Sequence, residues 1–264
     1  MAVKELANKV ALVTGASRGI GRAISLILAS ESAQLVLTGR DLEALNETAR
    51  LISELKGAPA PMVCKIDHLK ADSIQNCVAQ TLEAFGRIDI LVNNSGVTGH
   101  SAPLWELNEA EWDEAIDINL KGPFLVSRAV IPSMISRKSG SIIFIGSITG
   151  KRPLINRSVY AASKLGMVGM VRTLALELGK HGVRANLISP GFVDGPRLDG
   201  VISDVARQEG VSPQEMRAKW LAMVPTGRFV SAQDIAQGVL FFASERSGST
   251  TGEDLNISGG LVMY

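Results

Sequence analysis

Short, almost wholly apolar runs alternate along this chain with longer segments whose apolar positions recur at helical spacing. Residues 9–15, "KVALVTG", are β-branched and end in glycine, as a buried strand does, and residues 19–31, "GIGRAISLILASE", follow with a helical stripe. "QLVLTG" (34–39) is the next strand and "LEALNETARLISEL" (42–55) the next helix, with Asp41 placed to cap it. The strand pattern returns at 61–67, 88–96, 140–147, 184–191 and 253–260, with helical stretches between consecutive strands. Strands apolar nearly throughout and separated by helices predict a parallel sheet covered on both faces. With no internal repeat, low-complexity tract or polar linker, residues 1–264 read as a single doubly wound α/β domain of seven strands. Ligands of such a sheet bind beyond the carboxyl ends of its strands.

Three stretches depart from the simple alternation. Residues 192–225 are long and mixed in polarity, with Ser212, Pro213 and Glu215 forming a capping box that starts a second helix there. So long an insertion near a strand's carboxyl end predicts a substrate lid. Residues 123–136 and 160–178 carry apolar side chains beyond one core-facing stripe, and "LVMY" (261–264) adds more, which predicts burial in a homo-oligomer.

Composition narrows the possibilities further. The chain is 46% hydrophobic with a formal net charge of +1, which offers no electrostatic case for nucleic acid or an anionic membrane. Its two cysteines, Cys64 and Cys77, fit neither a disulfide framework nor a metal site. The N-terminal segment carries charges where a signal peptide needs its apolar run, and no apolar stretch approaches a membrane span. A cytoplasmic protein is expected.

Two stretches carry candidate chemistry. "TGASRGIG" (14–21) stands between the first strand and the first helix. Gly15 permits a tight turn, Gly19 and Gly21 allow close approach to a ligand, and the helix N-terminus offers N–H groups to a pyrophosphate. The spacing is Gly-x-x-x-Gly-x-Gly, and a plain turn is the competing reading. In "SVYAASKLG" (158–166), Tyr160 and Lys164 are four apart and share a helix face. A free phenol has a pKa of about 10, and a nearby ammonium favours its phenolate. Spacing alone leaves open whether this is a tuned acid/base or a surface tyrosine beside a solvated lysine.

"TGASRGIG", "NNSG" (93–96), Asn119 in "DINLKG", Ser147 in "FIGS", "YAASK" (160–164) and "SPG" (189–191) follow one another in an order that resembles the short-chain dehydrogenase/reductase family. The resemblance spans essentially the whole chain and is nearest in flavour to 3-oxoacyl-carrier-protein reductases. It implies metal-free hydride transfer between a nicotinamide and a carbonyl or alcohol carbon. Ser147 would hydrogen-bond the substrate oxygen, Tyr160 would exchange the proton, and Lys164 would lower the tyrosine pKa and bind ribose hydroxyls. Asn119 would hold a water linking Lys164 to solvent. Ser147 as a turn serine and Asn119 as a satisfied buried amide are the competing readings. Cofactor contacts are implied for Gly15, Ser17, Arg18, Gly19, Ile20, Gly21, Asp67, His68, Asn94, Tyr160, Lys164, Pro190, Gly191 and Val193.

Elsewhere the pattern loosens. Ser95 stands where the family more commonly has alanine, the sequence after Asp67-His68 continues differently, and Gly195 occupies the place of a carboxamide-binding threonine. Gly39 ends the second strand where NAD enzymes carry an acid; Arg40 follows it and Arg18 projects from the glycine turn, so NADP(H) is expected over NAD(H). Against that stands the reading that both arginines are solvated and Asp41 serves as the acid. The expected substrate is a small ketone or alcohol or a 3-oxoacyl thioester. Arg152, Arg157 and His100 would either meet an anionic substrate or lie solvated. The family's usual assembly is a homotetramer. A dinucleotide-sensing regulator on the same fold is the alternative to an enzyme.

Overall fold

Strand β1 (Val10–Thr14) is buried at every position, as a central strand covered on both faces must be. In this computed structural model, which describes residues 4–264, it lies inside a seven-stranded parallel sheet, third from one edge. The other strands are β2 (Gln34–Gly39), β3 (Met62–Lys65), β4 (Ile90–Asn93), β5 (Gly140–Ile145), β6 (Val183–Pro190) and β7 (Asp254–Ile257), in the spatial order β3-β2-β1-β4-β5-β6-β7. The chain moves outwards through β2 and β3 and then returns to pair β4 with the free edge of β1. That reversal opens a crevice between the carboxyl ends of β1 and β4.

Helices α1 (Gly19–Ser30) and α2 (Leu42–Ser53) cover one face, with α9 (Ala232–Ala243) beside α1. The opposite face is covered by α3 (Ala71–Phe85), α5 (Gly122–Arg137) and α6 (Ser158–Leu178). Between β4 and α5 run α4 (Glu109–Ile116) and a π-helical turn, Asp117–Lys121. Asp41 caps α2 as expected, its Oδ1 accepting the Ala44 amide at 3.0 Å. The strands are shorter than their apolar runs: β4 stops at Asn93 because Asn94 turns its amide back onto β1.

Residues 192–225 fold as two helices, α7 (Pro196–Glu209) and α8 (Pro213–Ala222), the second opened by the Ser212–Glu215 capping box. They enclose a small core of their own in which Leu198, Ile202, Met216 and Trp220 meet Phe229. Phe192 stacks on Trp220 at 4.5 Å and ties this core to the end of β6. No helix of the described residues is long and apolar enough to cross a membrane.

At the opposite end of the sheet, Asp89 is 3% exposed and accepts the Val10 amide (2.9 Å), Arg87 (2.8 and 2.6 Å) and Arg137 (2.6 Å). One carboxylate thereby joins β1, the start of β4 and the end of α5. Burial alone would raise its pKa; the Arg87 and Val10 hydrogen bonds and the Arg137 charge outweigh it and hold the carboxyl below its ordinary value. The native state therefore binds fewer protons there than the unfolded chain, so this stabilisation is complete above the ordinary aspartate range and is lost as pH falls through the lowered native value. Asp89→Asn should cost about 2 kcal/mol at neutral pH, below the 3–5 of a fully buried pair because Arg87 is 38% exposed. Urea unfolding at pH 7 measures it, and the deficit should shrink below about pH 4; equal stabilities at pH 7 would refute the role.

Candidate active site

The turn from β1 into α1 is built around two glycines that no other residue could replace. Gly15 has φ +64°, and a Cβ there would lie 3.0 Å from Asn94 Nδ2. A Cβ at Gly21 would overlap the Gly15 carbonyl oxygen, so this glycine packs helix against turn, whereas the sequence suggested closeness to a ligand. Gly19 fits that suggestion better: its φ is +55° and nothing lies within 4 Å of where a Cβ would stand. Helix α1 has Arg18 at its N-cap with no side-chain cap and no acid in its first turn. Its first N–H groups and dipole are left for an anion, and the cradle fits a dinucleotide pyrophosphate. Arg22 braces the turn by donating to the Ser17 carbonyl at 2.6 Å, and Ile20 packs into the core beneath.

Across the crevice, Thr14 Oγ1 accepts the amides of Asn94 and Ser95, both at 3.0 Å. Asn94 Nδ2 donates to the carbonyls of Thr14 (2.9 Å) and Gly15 (3.1 Å). The amide expected beside the adenine ribose thus spends both its protons on the turn. Beyond β3, Asp67 Oδ1 accepts the Leu69 amide at 3.1 Å. His68 is buried against Gly122 with neither ring nitrogen hydrogen-bonded. Burial drives its pKa down to about 4, with Asp67 opposing and the Arg40 charge assisting, so the ring is neutral at physiological pH. Arg40 and Arg18 are exposed.

On the other side of the crevice, Lys164 is 5% exposed and its Nζ donates to the Ile145 carbonyl, the last of β5, at 3.0 Å. That bond pins the Tyr160–Lys164 face of α6 to the strand end two residues before Ser147. Nζ lies 5.8 Å from the centre of the Tyr160 ring. Burial, then the Arg197 charge, lowers the Lys164 pKa to about 7. Ser147 opens a 3₁₀ turn, Ile148–Gly150, and its Oγ accepts the Thr149 amide at 3.1 Å, leaving the hydroxyl proton free to donate. Asn119 sits fully buried in the π-helical turn; it accepts the Val97 amide (2.8 Å) and donates to the Val97 carbonyl (3.0 Å) and Ser163 Oγ (3.1 Å). Its side chain is consumed in bracing.

At the end of β6, Pro190 and Gly191 run along β7, where a Cβ on Gly191 would press on Ser258, and Val193 bridges to Val230. Gly195 has φ +134° and ψ −178°, a region essentially closed to side chains, so a threonine is excluded by the backbone itself. Two residues on, Arg197 donates to the Gly96 carbonyl at 2.6 Å and spans the crevice from α7 to the β4 loop. Neither Arg197 nor Ser163, which joins Asn119 to the Tyr160 carbonyl, stood out in the sequence. A cation in the first turn of a helix, against the dipole, was the one available signal for Arg197.

The three basic residues suggested for an anion separate sharply. Arg152 is exposed beside Met223, and His100 is exposed opposite Glu111. Arg157 is neither exposed nor solvated: it is 5% accessible, three residues before Tyr160.

A family profile described as "Enoyl-(Acyl carrier protein) reductase" matches residues 15–262. The chain is 36% identical over 258 residues to the 3-oxoacyl-[acyl-carrier-protein] reductase of Thermotoga maritima, covering 98% of this chain and 99% of that one. It is also 36% identical over 256 residues to the Escherichia coli (strain K12) protein of the same name, covering 97% and 98%. Among solved structures, levodione reductase superimposes with a TM-score of 0.92 at 31% identity over 97% of this chain and 98% of its own. NAD+-bound xylitol dehydrogenase does so with 0.91 at 29% identity, over 97% and 100%. With the strand order, the glycine turn and near-complete coverage in agreement, the chain belongs to the short-chain dehydrogenase/reductase family and is an oxidoreductase.

Proposed function

We propose that this protein transfers hydride between NADP(H) and a carbonyl or secondary-alcohol carbon, with Tyr160, Lys164, Ser147 and Asn119 as its working set. The observation that carries the reading is the buried Lys164 ammonium, tied to the carboxyl end of β5 beneath Tyr160. Bound in the crevice, the nicotinamide supplies or takes up the hydride. The side chains do the rest. Ser147 donates its hydroxyl proton to the substrate oxygen and stabilises charge developing there. Tyr160 gives that oxygen a proton during reduction and removes it during oxidation. A protonated Lys164 favours the phenolate form and so eases both directions. Asn119 acts by position, holding the Val97 loop and, through Ser163, the first turn of α6. Any water relay there has to use its remaining lone pair or the main chain.

Relatives and neighbours bear the names of reductases and dehydrogenases, which disfavours a sensor without chemistry. Their names cover a 3-oxoacyl carrier, levodione and xylitol, so the shared chemistry is carbonyl–alcohol exchange and the substrate varies. For the cofactor, Asp41 uses one carboxylate oxygen to cap α2, which favours the arginines over Asp41 as the residues that meet the ribose. Arg40 lies close enough to depress the His68 pKa, which sets its charge over the ends of β2 and β3. Phe124 on α5, Leu165 and Leu176 on α6, and Met263 and Tyr264 at the C-terminus remain exposed, as expected of faces buried in a tetramer.

Three measurements test this. Tyr160→Phe should keep its fold and bind NADPH normally by fluorescence titration while losing at least about a hundredfold in kcat, the worth of a general acid. Turnover within a few-fold of wild type would reject the mechanism. Arg40→Ala should weaken NADPH about tenfold, as loss of one charge-assisted contact implies, with NADH affinity hardly changed. Equal NADH and NADPH affinities in wild type would dismiss the preference. Light scattering at micromolar concentration should give about four times the 28.0 kDa chain mass, and a clean monomer contradicts the assembly.

A further inference from the structure

Arg157 ends the loop before α6, one helical turn ahead of Tyr160. Its Nη1 donates to the Gly99 carbonyl at 3.4 Å, near the limit of a hydrogen bond. Its Nη2 is buried and has no partner. The nearest carboxylate oxygen, Asp204 Oδ2 on α7, is 3.9 Å away on a half-exposed side chain shared with Arg207. The hydroxyl of the adjoining Ser158 is also buried without a partner. Buried polar groups in folded proteins are almost always hydrogen-bonded, and a buried guanidinium left half-paired is costly. The fold gains nothing from the position, since a cation at a helix N-terminus opposes the dipole.

Charge around the site is one-sided. Arg157 stands at the start of the helix that carries Lys164, the Arg197 charge reaches Lys164, and Arg157 lies within electrostatic reach of the Tyr160 phenol. Among the acids of α7 and its approach, Asp194 and Asp199 are both taken by Arg217 and Glu209 by Lys219, which leaves only Asp204. A neutral ketone or thioester would leave this excess uncompensated. An anion would meet Nη2 through a charge-assisted hydrogen bond.

Resting on the hydride-transfer reading above, we propose that the substrate is an oxo acid or its hydroxy-acid counterpart, and that Arg157 binds its carboxylate while Tyr160 serves its carbonyl. The reaction is the same balanced exchange: hydride to the carbonyl carbon, proton from Tyr160 to its oxygen, with the carboxylate unchanged.

The test compares 3-oxobutanoate and 4-oxopentanoate with their methyl esters as NADPH-dependent substrates. In wild type, kcat/KM for at least one acid should exceed that of its ester tenfold or more, chiefly through KM. In Arg157→Gln that acid-to-ester ratio should fall towards one, and Arg157→Lys, which keeps the charge, should recover part of it. Esters used as well as acids by wild type, or a ratio that survives Arg157→Gln, overturns the proposal. Should Arg157→Gln melt at a much lower temperature, Arg157→Lys decides: a ratio unchanged from wild type, with no rise in KM for the acid, counts against Arg157 Nη2 as the carboxylate's partner. If neither acids nor esters are turned over, the hydride-transfer reading fails separately. Calorimetric titration of 4-oxopentanoate into wild type and Arg157→Gln then judges the anion site alone. Binding that the variant loses supports it, and no binding to wild type removes it.

Discussion

The crevice exists because Thr14 and Asn94 are tied to each other across it. Thr14 Oγ1 receives two amides from the loop after β4, and Asn94 returns two hydrogen bonds to the carbonyls of the glycine turn. The β1–β4 ladder sets the spacing of the two strands up to Val13 and Val92 and leaves that of the loops beyond them open. This knot fixes it locally. Two residues along the same loop the bonds resume: Val97 to Asn119, Asn119 to Ser163, Ser163 to the Tyr160 carbonyl. The turn that suits a pyrophosphate and the helix that carries the tyrosine are held by one polar chain, and an error at Thr14 would propagate to both.

Against that rigid frame, the burial of Lys164 is a local conflict kept in place. Its single protein acceptor is the Ile145 carbonyl, and burial with the Arg197 charge lowers its pKa to about 7. A buried lysine is unfavourable for folding at neutral pH because its ammonium is drawn out of water. Apolar residues fill most of the same helix face, including Met167, Val168 and Val171, so a hydrophobic side chain would suit the core better. Such a departure from good packing, next to a crevice and a phenol, agrees with the working role proposed for Lys164. Arg157 repeats the pattern about two turns earlier, with an unpaired nitrogen.

The periodicity of the chain made the sheet legible, since buried parallel strands and amphipathic helices each imprint their own spacing. Capping was legible too: Asp41 and the Ser212–Glu215 box act through neighbours in sequence. What stayed hidden depended on partners far along the chain. Nothing local says that Gly21 is needed to clear the Gly15 carbonyl, that Asn94 faces the turn, or that Arg197 reaches Gly96 from α7. Arginines 152 and 157 look alike in sequence, yet one is exposed and the other buried, because only the second faces the loop at Gly99 and the α7 helix.

Gly195 shows how the two halves of the site can vary separately. The threonine expected there is barred by a backbone at φ +134°, a conformation that lets α7 begin immediately with Pro196. The helices that follow pack on Phe192, Trp220 and Phe229, apart from the two cores that flank the sheet. Changes in α7 and α8 therefore need not disturb the strands or the glycine turn, and only a change at Arg197 would reach Lys164, through its charge. Arg197 and Asp204 come from that independent layer, while Tyr160 and Lys164 come from the frame. Chemistry is set by the frame and charge at the mouth by the layer above it. That division lets a sheet geometry that superimposes on levodione reductase at a TM-score of 0.92 be kept while the layer above it varies.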